Sequence, residues 1–446
     1  GHYKTRAAEA SSEELGVEKY LQLFQLSPEM LQEVSARLRK DLLRGLGKHS
    51  HHKAPVKMLP TFVRATPDGT EKGDFLALDL GGTNFRVLHV RVEEEAQKVL
   101  KMDSQICAIP QEMMLGTGEQ NLKGKTLPLG FTFSFPCEQL EIDKSILIRW
   151  TKGFNCSGVE GKDVVQLLKE AIHRRGDYDI GSVAMVNDTV GTMMSCGYRD
   201  QSCEIGMIIG TGTNACYMEE MKNVKRIEGE DGRMCINTEW GGFGDDGSLD
   251  DILTEFDVEV DKTSINPGQK LETDKIVRLV LVKITKDKLL FKGQISETLG
   301  TPGQFETKFI SEIEDGLENA KKILTELGLD WDPVDACVVR LVCDTISSRS
   351  ARLCAAALAT LVNRIRNNRK LDHLKTTVGV DGTVYRKHPT SKLQKAVRLL
   401  APQCDITFLV SEDGSGKGAA MVTAVAQRLA HQFPVILNSS DLFVSK

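Results

Sequence analysis

A chain of 446 residues with 41 % apolar and 27 % charged residues has material for two or three packed domains rather than one small core. A net charge of −5 argues against nucleic acid or an anionic membrane as the main partner. No stretch approaches about 18 consecutive apolar residues, so no membrane span is expected.

The N-terminal Gly1-His2-Tyr3 lacks the apolar centre of a signal peptide. With no such signal, the eleven cysteines, scattered mostly through apolar runs, read as reduced thiols of a cytoplasmic protein. The chain opens helical. Ser11 and Glu14 have capping-box spacing. Ser27-Pro28 starts a helix on which Leu31, Val34, Leu38 and Leu42 share one face, and Gly45 and Gly47 end it. His49, His51 and His52 lie in a polar linker without a carboxylate or cysteine nearby, so they are not expected to hold a metal.

Next comes an apolar strand, Phe75 to Leu80, with Asp79 near its tip. Gly81-Gly82-Thr83-Asn84 follow, and a second strand runs from Val87 to Val92. Two glycines past a strand let backbone approach a ligand closely. Their N–H groups favour an anion, and Asp79 can hold the cation that accompanies a polyphosphate. The unit is a phosphate-hairpin candidate; an ordinary Gly-Gly hairpin with a capping aspartate is the plainer reading.

Val99–Ile109 and Leu127–Phe135 read as further strands, the latter setting Thr132 and Ser134 opposite its phenylalanines. A helix over Val164–Arg175 precedes strand Ser182–Val186, which ends in Asn187-Asp188-Thr189. Glu204–Gly210 then runs into Thr211-Gly212-Thr213-Asn214. This second strand with a small-residue turn suggests a weak internal duplication in an α/β layer architecture. Beyond residue 275 the pattern is long-helical, over Ile276–Leu289, Phe305–Leu327 and Val334–Asn367. Strands Thr376–Val380 and Thr407–Val410 follow, and the latter leads through Ser411–Gly418 into a helix, Ala419–Leu429. That last glycine segment is not a P-loop, since Gly418 stands where Ser or Thr must follow the lysine. Glycines at a helix N-terminus nonetheless suit an anion.

Transfer of a phosphoryl group to a hydroxyl needs phosphate cradles, a cation, a carboxylate for the proton and exclusion of water. The chain offers two glycine cradles (81–84 and 210–214), Asp79 for the cation and Asp188 for the proton. Asn214 and Glu239, in Asn237-Thr238-Glu239-Trp240-Gly241, suit a polyol whose hydroxyls both donate and accept. Lys152, in Trp150-Thr151-Lys152-Gly153-Phe154, adds a cation that can meet a phosphate or orient a hydroxyl. Taken singly, Lys152 is a surface lysine, Glu239 a rim carboxylate and Asp188 a helix cap.

Those stretches, with Leu129-Gly130-Phe131-Thr132-Phe133-Ser134-Phe135-Pro136 and Leu409 to Ala420, stand in an order that resembles the eukaryotic hexokinase/glucokinase family over residues 15–430. The resemblance implies an actin-like (ribonuclease-H-like) α/β fold of two lobes with a central cleft. Residues 1–72 would be N-terminal helices on the large lobe and a connection. Residues 73–186 would form the small lobe and 187–415 the large lobe, with a C-terminal helix in 416–446 returning to the small lobe. It further implies that Ser134, Thr151, Lys152, Asn187, Asp188, Asn214 and Glu239 contact a hexose, with Asp188 the general base and Lys152 its aid. Asp79, Gly81, Gly82, Thr83, Asn84 and Arg86 would form the first phosphate segment and magnesium site. Gly210, Thr211, Gly212 and Thr213 would form the second, and Ser348, Gly414, Ser415, Gly416 and Lys417 the adenosine side.

Two segments depart from the family pattern. After Leu115–Gln120 a helix is replaced by Asn121–Gly124, and after Asn266–Gln269 a helix with a further sugar-contacting glutamate is replaced by Lys270–Lys275, where Glu272 can stand in. The tail after Gln432 is also unlike the family. The expected activity is ATP- and Mg2+-dependent phosphorylation of the 6-hydroxyl of glucose and related hexoses, by a cytoplasmic monomer. Its rival is a sugar-binding or sensor chain without turnover; an actin-like ATPase is disfavoured by the Asn/Asp/Glu cluster.

Overall fold

The structure is a computed structural model that describes residues 16–80, 84–92, 99–108, 126–150, 154–176, 180–210, 212–229, 231–263, 273–387 and 391–432. Helix α1 (Pro28–Leu46) begins as its sequence demands. Ser27 caps it by accepting from the Met30 N–H at 3.2 Å, and Pro28 occupies the first turn. Its apolar face (Leu31, Val34, Leu38, Leu42) is buried. The capping-box pair Ser11 and Glu14 lies outside the described residues.

The first half of the chain supplies strands β1 (Leu59–Pro60), β2 (Gly73–Leu80), β3 (Asn84–Val92), β4 (Val99–Ala108), β5 (Leu127–Phe133), β6 (Cys137–Glu141), β7 (Lys144–Leu147) and β8 (Ile180–Val186). The second half supplies β9 (Cys203–Ile209), β10 (Thr213–Glu220), β11 (Arg233–Asn237), β12 (Leu374–Asp381) and β13 (Cys404–Val410). Five strands form one sheet in the order β4-β3-β2-β5-β8. Six form another in the order β1-β11-β10-β9-β12-β13, and β6 and β7 make a separate ribbon.

The duplication read from two glycine turns is a duplication of topology. In the first sheet β2 pairs antiparallel with β3 and parallel with β5, and β5 pairs parallel with β8. In the second, β9 pairs antiparallel with β10 and parallel with β12, and β12 pairs parallel with β13. Helix α2 (Asp188–Arg199) leaves the tip of β8. Helix α4 (Gly414–Gln432) leaves the tip of β13, after the long α3 (Pro333–Asn368). Helices α2 and α4 lie against each other, and one buried cluster, with Val90, Ala184, Met193, Cys216 and Met421, joins residues of both sheets to them.

Glycines set how close these helices come. A Cβ on Gly418 would lie 2.0 Å from the Gly191 carbonyl oxygen, and one on Gly191 would lie 2.6 Å from that of Gly414. A Cβ on Gly130 in β5 would lie 2.3 Å from the Ala419 carbonyl oxygen, and one on Gly206 in β9 would lie 2.1 Å from that of Thr189.

The helix expected over Phe305–Leu327 is two helices, Thr307–Asp315 and Leu317–Glu326, because Gly316 adopts extended backbone (φ 178°, ψ 152°) that no helix turn accommodates. The helix expected from Ile276 starts at Thr273 and stops at Lys286. Of the segments read as departures from the family, 121–124 falls wholly outside the described residues and 270–275 falls half outside them. Ten of the eleven cysteines, all but Cys107, are described with their side chains and are free thiols. No helix among the described residues is long and apolar enough to cross a membrane.

Gly418→Ala is expected to destabilise by about 1–3 kcal/mol, since the clash is with backbone that cannot step aside. Gly316→Ala, with extended backbone and open space within 4 Å, should stay within about 0.5 kcal/mol of the parent. Urea unfolding of the two variants beside the parent checks the contrast.

Candidate active site

Strand register decides which side chains meet. Asp79 in β2 pairs with Thr132 in β5, and Thr132 pairs with Val186 in β8. The chain segments that follow these strands, with Ser134 and with Asn187-Asp188, therefore leave the sheet at one edge. In the other sheet Asp381 pairs with Ile208 and Val380 with Val410, so Gly210, Gly382 and Ser411–Gly414 leave at the corresponding edge. The carboxyl ends of parallel strands are where α/β sheets bind ligands.

The two edges are tied by one guanidinium. Arg86, the ladder partner of Asp79, donates to Asp79 Oδ2 from Nε at 3.1 Å and from Nη2 at 2.7 Å; Nη2 also donates to Asp413 Oδ1 at 2.6 Å. Burial alone would push the guanidinium down. Its hydrogen bonds to Asp413 and Asp79 overcome that and hold it above the ordinary arginine value. Asp413 Oδ2 is buried with no hydrogen-bond partner. One arginine thus offsets one of two adjacent carboxylates and leaves an oxygen facing no donor. Hard oxygens with a residual negative charge suit a hydrated magnesium ion. Among the described residues no group of three or more His, Cys, Asp or Glu is placed to hold a metal. A magnesium ion here would therefore keep much of its shell as water and phosphate oxygen.

Asn187 and Asp188 form the start of α2. Asn187 is the cap, and the Thr189 N–H donates to both Asn187 Oδ1 and Asp188 Oδ1 at 2.9 Å each. The positive end of the helix favours the Asp188 negative charge. Taken singly Asp188 reads as the helix cap; the structure gives that place to Asn187 and sets the half-buried Asp188 at the first helical position, just past the tip of β8.

The polyol cluster is directly bonded. Asn214 Nδ2 donates to Glu239 Oε1 at 3.1 Å and to Asn237 Oδ1 at 2.9 Å, and Asn237 Nδ2 donates to the same Glu239 oxygen at 2.7 Å. Glu239 sits in left-handed backbone, φ 50°, at the start of a short helical turn, Trp240–Gly242. Two amides aim one carboxylate before any ligand arrives. Asn237 is the residue that sequence reasoning left out. It was quoted within the motif, but its burial and its bond to Asn214 depend on the β10–β11 pairing. Asp413 was left out likewise. The signal for it was the duplication, because it follows β13 as Asp188 follows β8.

Other expected residues separate. Gly210, Gly212 and Thr213 line a small pocket with Arg349, Ser350 and Val384. Ser348 lies half-buried on α3 beside Arg349, whose own guanidinium is committed to a buried ion pair with Asp257 at 2.8 Å. Gly414 and Gly416 have neighbours where a cradle would be open. A Cβ on Gly414 would meet Thr192 Oγ1 at 2.7 Å, and one on Gly416 would meet Leu88 at 2.9 Å. The Ser415 carbonyl accepts from Thr132 Oγ1 at 2.7 Å, and Lys417 Nζ lies 3.9 Å from Glu412. Gly81, Gly82, Thr83, Thr151, Lys152, Thr211 and Glu272 lie outside the described residues; Asn84 is described only by its backbone, as the first residue of β3.

Two sheets of like topology, two helices crossing between them and a carboxylate-lined edge on each define a two-lobe, actin-like fold. The comparisons agree. Family models described as hexokinase match residues 204–425 and, in two overlapping pieces, residues 16–123 and 118–198. The seam at 118–123 falls where the sequence departs from the family pattern. Hexokinase-2 of Equus caballus is 56% identical over 445 residues, which is 93% of this chain and 48% of that protein. Hexokinase-1 of Homo sapiens is 53% identical over the same shares. The chain spans about half the length of these curated relatives. Among solved structures, hexokinase from Schistosoma mansoni complexed with glucose superposes with a TM-score of 0.82 at 37% identity, covering 92% of this chain and 99% of that one. A further hexokinase crystal structure gives 0.78 at 29% identity, over 93% and 99%. The chain belongs to the hexokinase family.

Arg86→Met would leave Asp79 and Asp413 facing each other without their shared cation. It is expected to cost about 1–3 kcal/mol near neutral pH. Added salt should shrink the deficit, because it screens the repulsion between the two carboxylates. Denaturant unfolding of variant and parent at low and high salt checks the sign.

Proposed function

We propose that this chain transfers the terminal phosphoryl group of ATP to the 6-hydroxyl of glucose and related hexoses. The observation that carries the reading is the Asn214–Asn237–Glu239 triad, a preformed acceptor for sugar hydroxyls, on the carboxyl edge of the sheet that α2 covers. Asp188, at the N-terminus of that helix, takes the hydroxyl proton as the sugar oxygen attacks the phosphorus and ADP leaves. Ser134, Asn187 and, from the segment 151–153, Thr151 and Lys152 complete the sugar contacts, with Glu272 a further candidate. Asp79, with Asp413 alongside, would hold magnesium, which when bound neutralises polyphosphate charge. Gly81–Asn84 and Gly210–Thr213 cradle the phosphates, while Ser348 and Gly414–Lys417 border the nucleotide.

The lobes follow the sheets. Residues 73–186 form the small lobe and 187–415 the large lobe. Residues 1–72 pack on the large lobe and connect the two, and the helix in 416–446 returns to the small lobe. Closing them over bound sugar excludes water, which cannot itself drive closure; that gives the enzyme its preference for the sugar hydroxyl over water. Cytoplasmic action as a monomer fits the charge and the free thiols.

The test is ATP consumption with and without glucose by the parent and by Asp188→Ala. Glucose-dependent turnover should fall by about 10²–10⁴ in the variant, as for loss of a general base, while glucose still raises the melting temperature. Near-normal turnover in the variant would remove Asp188 from its role. A parent that glucose stabilises but that never consumes ATP would be a sugar-binding chain instead. Asn237→Ala should raise the KM for glucose about tenfold or more through loss of a hydrogen bond to the Glu239 carboxylate; steady-state kinetics against glucose reads this.

A further inference from the structure

Away from both strand edges, α1, the last turns of α3 and the turn before β13 enclose a cavity of about 390 Å³, against about 30 Å³ for the pocket beside Gly210. Small-molecule sites occupy about 300–1,000 Å³. Most of the lining residues carry polar groups, among them Arg39, Arg364 and Arg366 with Asn363, Asn367 and Gln403. Arg364 is answered by Glu219, which is fully buried and also accepts from Asn368 Nδ2 at 2.7 Å. Arg39 and Arg366 have no carboxylate partner among the described residues. Arg366 donates only to the carbonyls of Leu371 and Asp372, at 3.2 and 3.4 Å, and its Nε is buried with no hydrogen-bond partner. Asn367 and Gln403 are exposed, and their side chains bond to no protein group among the described residues.

We propose that this cavity is a binding site for a small phosphate-bearing molecule, held by the guanidinium groups of Arg39 and Arg366. Guanidinium forks match phosphate oxygens in pairs. The free amides around them suit hydroxyls on the remainder of a phosphate ester, and the volume exceeds what a bare phosphate needs. The position gives such a ligand a route to the site. Glu219 and Tyr217, which share Arg364 beneath the cavity, lie on β10; the same strand carries Asn214 about 17 Å further back, at 3.3 Å per residue. The proposal stands on the cavity alone and does not need the kinase reading.

Calorimetric titration of the full chain with inorganic phosphate and with glycerol 3-phosphate tests it, comparing the parent with Arg39→Glu and Arg366→Gln. Any binding at the strand edges persists in all three proteins, so the variants isolate the cavity. The expected result is a binding event in the parent, tighter for the ester, that weakens at least about tenfold in each variant, as loss of a charge-assisted hydrogen bond implies. Tighter binding of the bare ion would still support the site and would identify free phosphate as its source. Arg39 is exposed, so Arg39→Glu should fold and keep its basal turnover even if Arg366→Gln does not. Phosphate and ester isotherms identical in parent and Arg39→Glu, or no binding by the parent in the millimolar range, would overturn the proposal.

Discussion

The close crossing of α2 and α4 is the constraint on which the site depends. With Gly191, Gly414 and Gly418 at the contact, backbone meets backbone, and no side chain holds the helices apart. Each helix begins at a strand tip, so the crossing distance also sets how far apart the two strand edges stand. Asp188 and Asp413, one at the start of each helix, are placed by the same contact. A glycine in a helix interior disfavours the helix by roughly 1 kcal/mol, so Gly191 and Gly418 make sense only where approach matters more than propensity.

The duplicated topology explains why the site is two-sided and why its halves differ. Each sheet brings a parallel strand tip that runs into a helix, and each helix starts beside a carboxylate. At the first, Asp188 accepts from the Thr189 N–H and stays half-exposed. At the second, Asp413 is drawn to Arg86 and so across to Asp79 in the other sheet. In the proposed reaction the first carboxylate takes the proton, while the second is held in an ion pair, although the chain reaches both by the same path.

Much of this was legible because the chemistry lies at strand tips, where an apolar run, a glycine and a carboxylate are close in sequence. Asp79, Asp188 and Asn214 were found that way. What could not be read depends on partners far along the chain. Arg86 meets Asp413 across 327 positions, and Asn237 joins Asn214 only through a hairpin register. Glycine before a helix signals an anion loop, but at Gly414 and Gly416 a Cβ would also meet Thr192 and Leu88, a packing demand that looks the same in a sequence. The break at Gly316 was hidden for the opposite reason, since an apolar pattern at helical spacing ran straight through it.

Among the described residues, two of the eight non-glycine residues in left-handed backbone belong to the site. Glu239 and Asp413, the two carboxylates that organise its halves, both hold left-handed backbone, at φ 50° and 65°. For a residue with a Cβ this costs on the order of 1 kcal/mol or more. Each is offset by hydrogen bonds to its own carboxylate, from Asn214 and Asn237 to Glu239, and from Arg86 and the Gly416 N–H to Asp413. A relaxed backbone would turn either side chain out of its cluster. The hydrogen bonds that stabilise the strained conformers therefore also aim the carboxylates, so the site is oriented before a ligand binds and less ordering remains to be done at that moment.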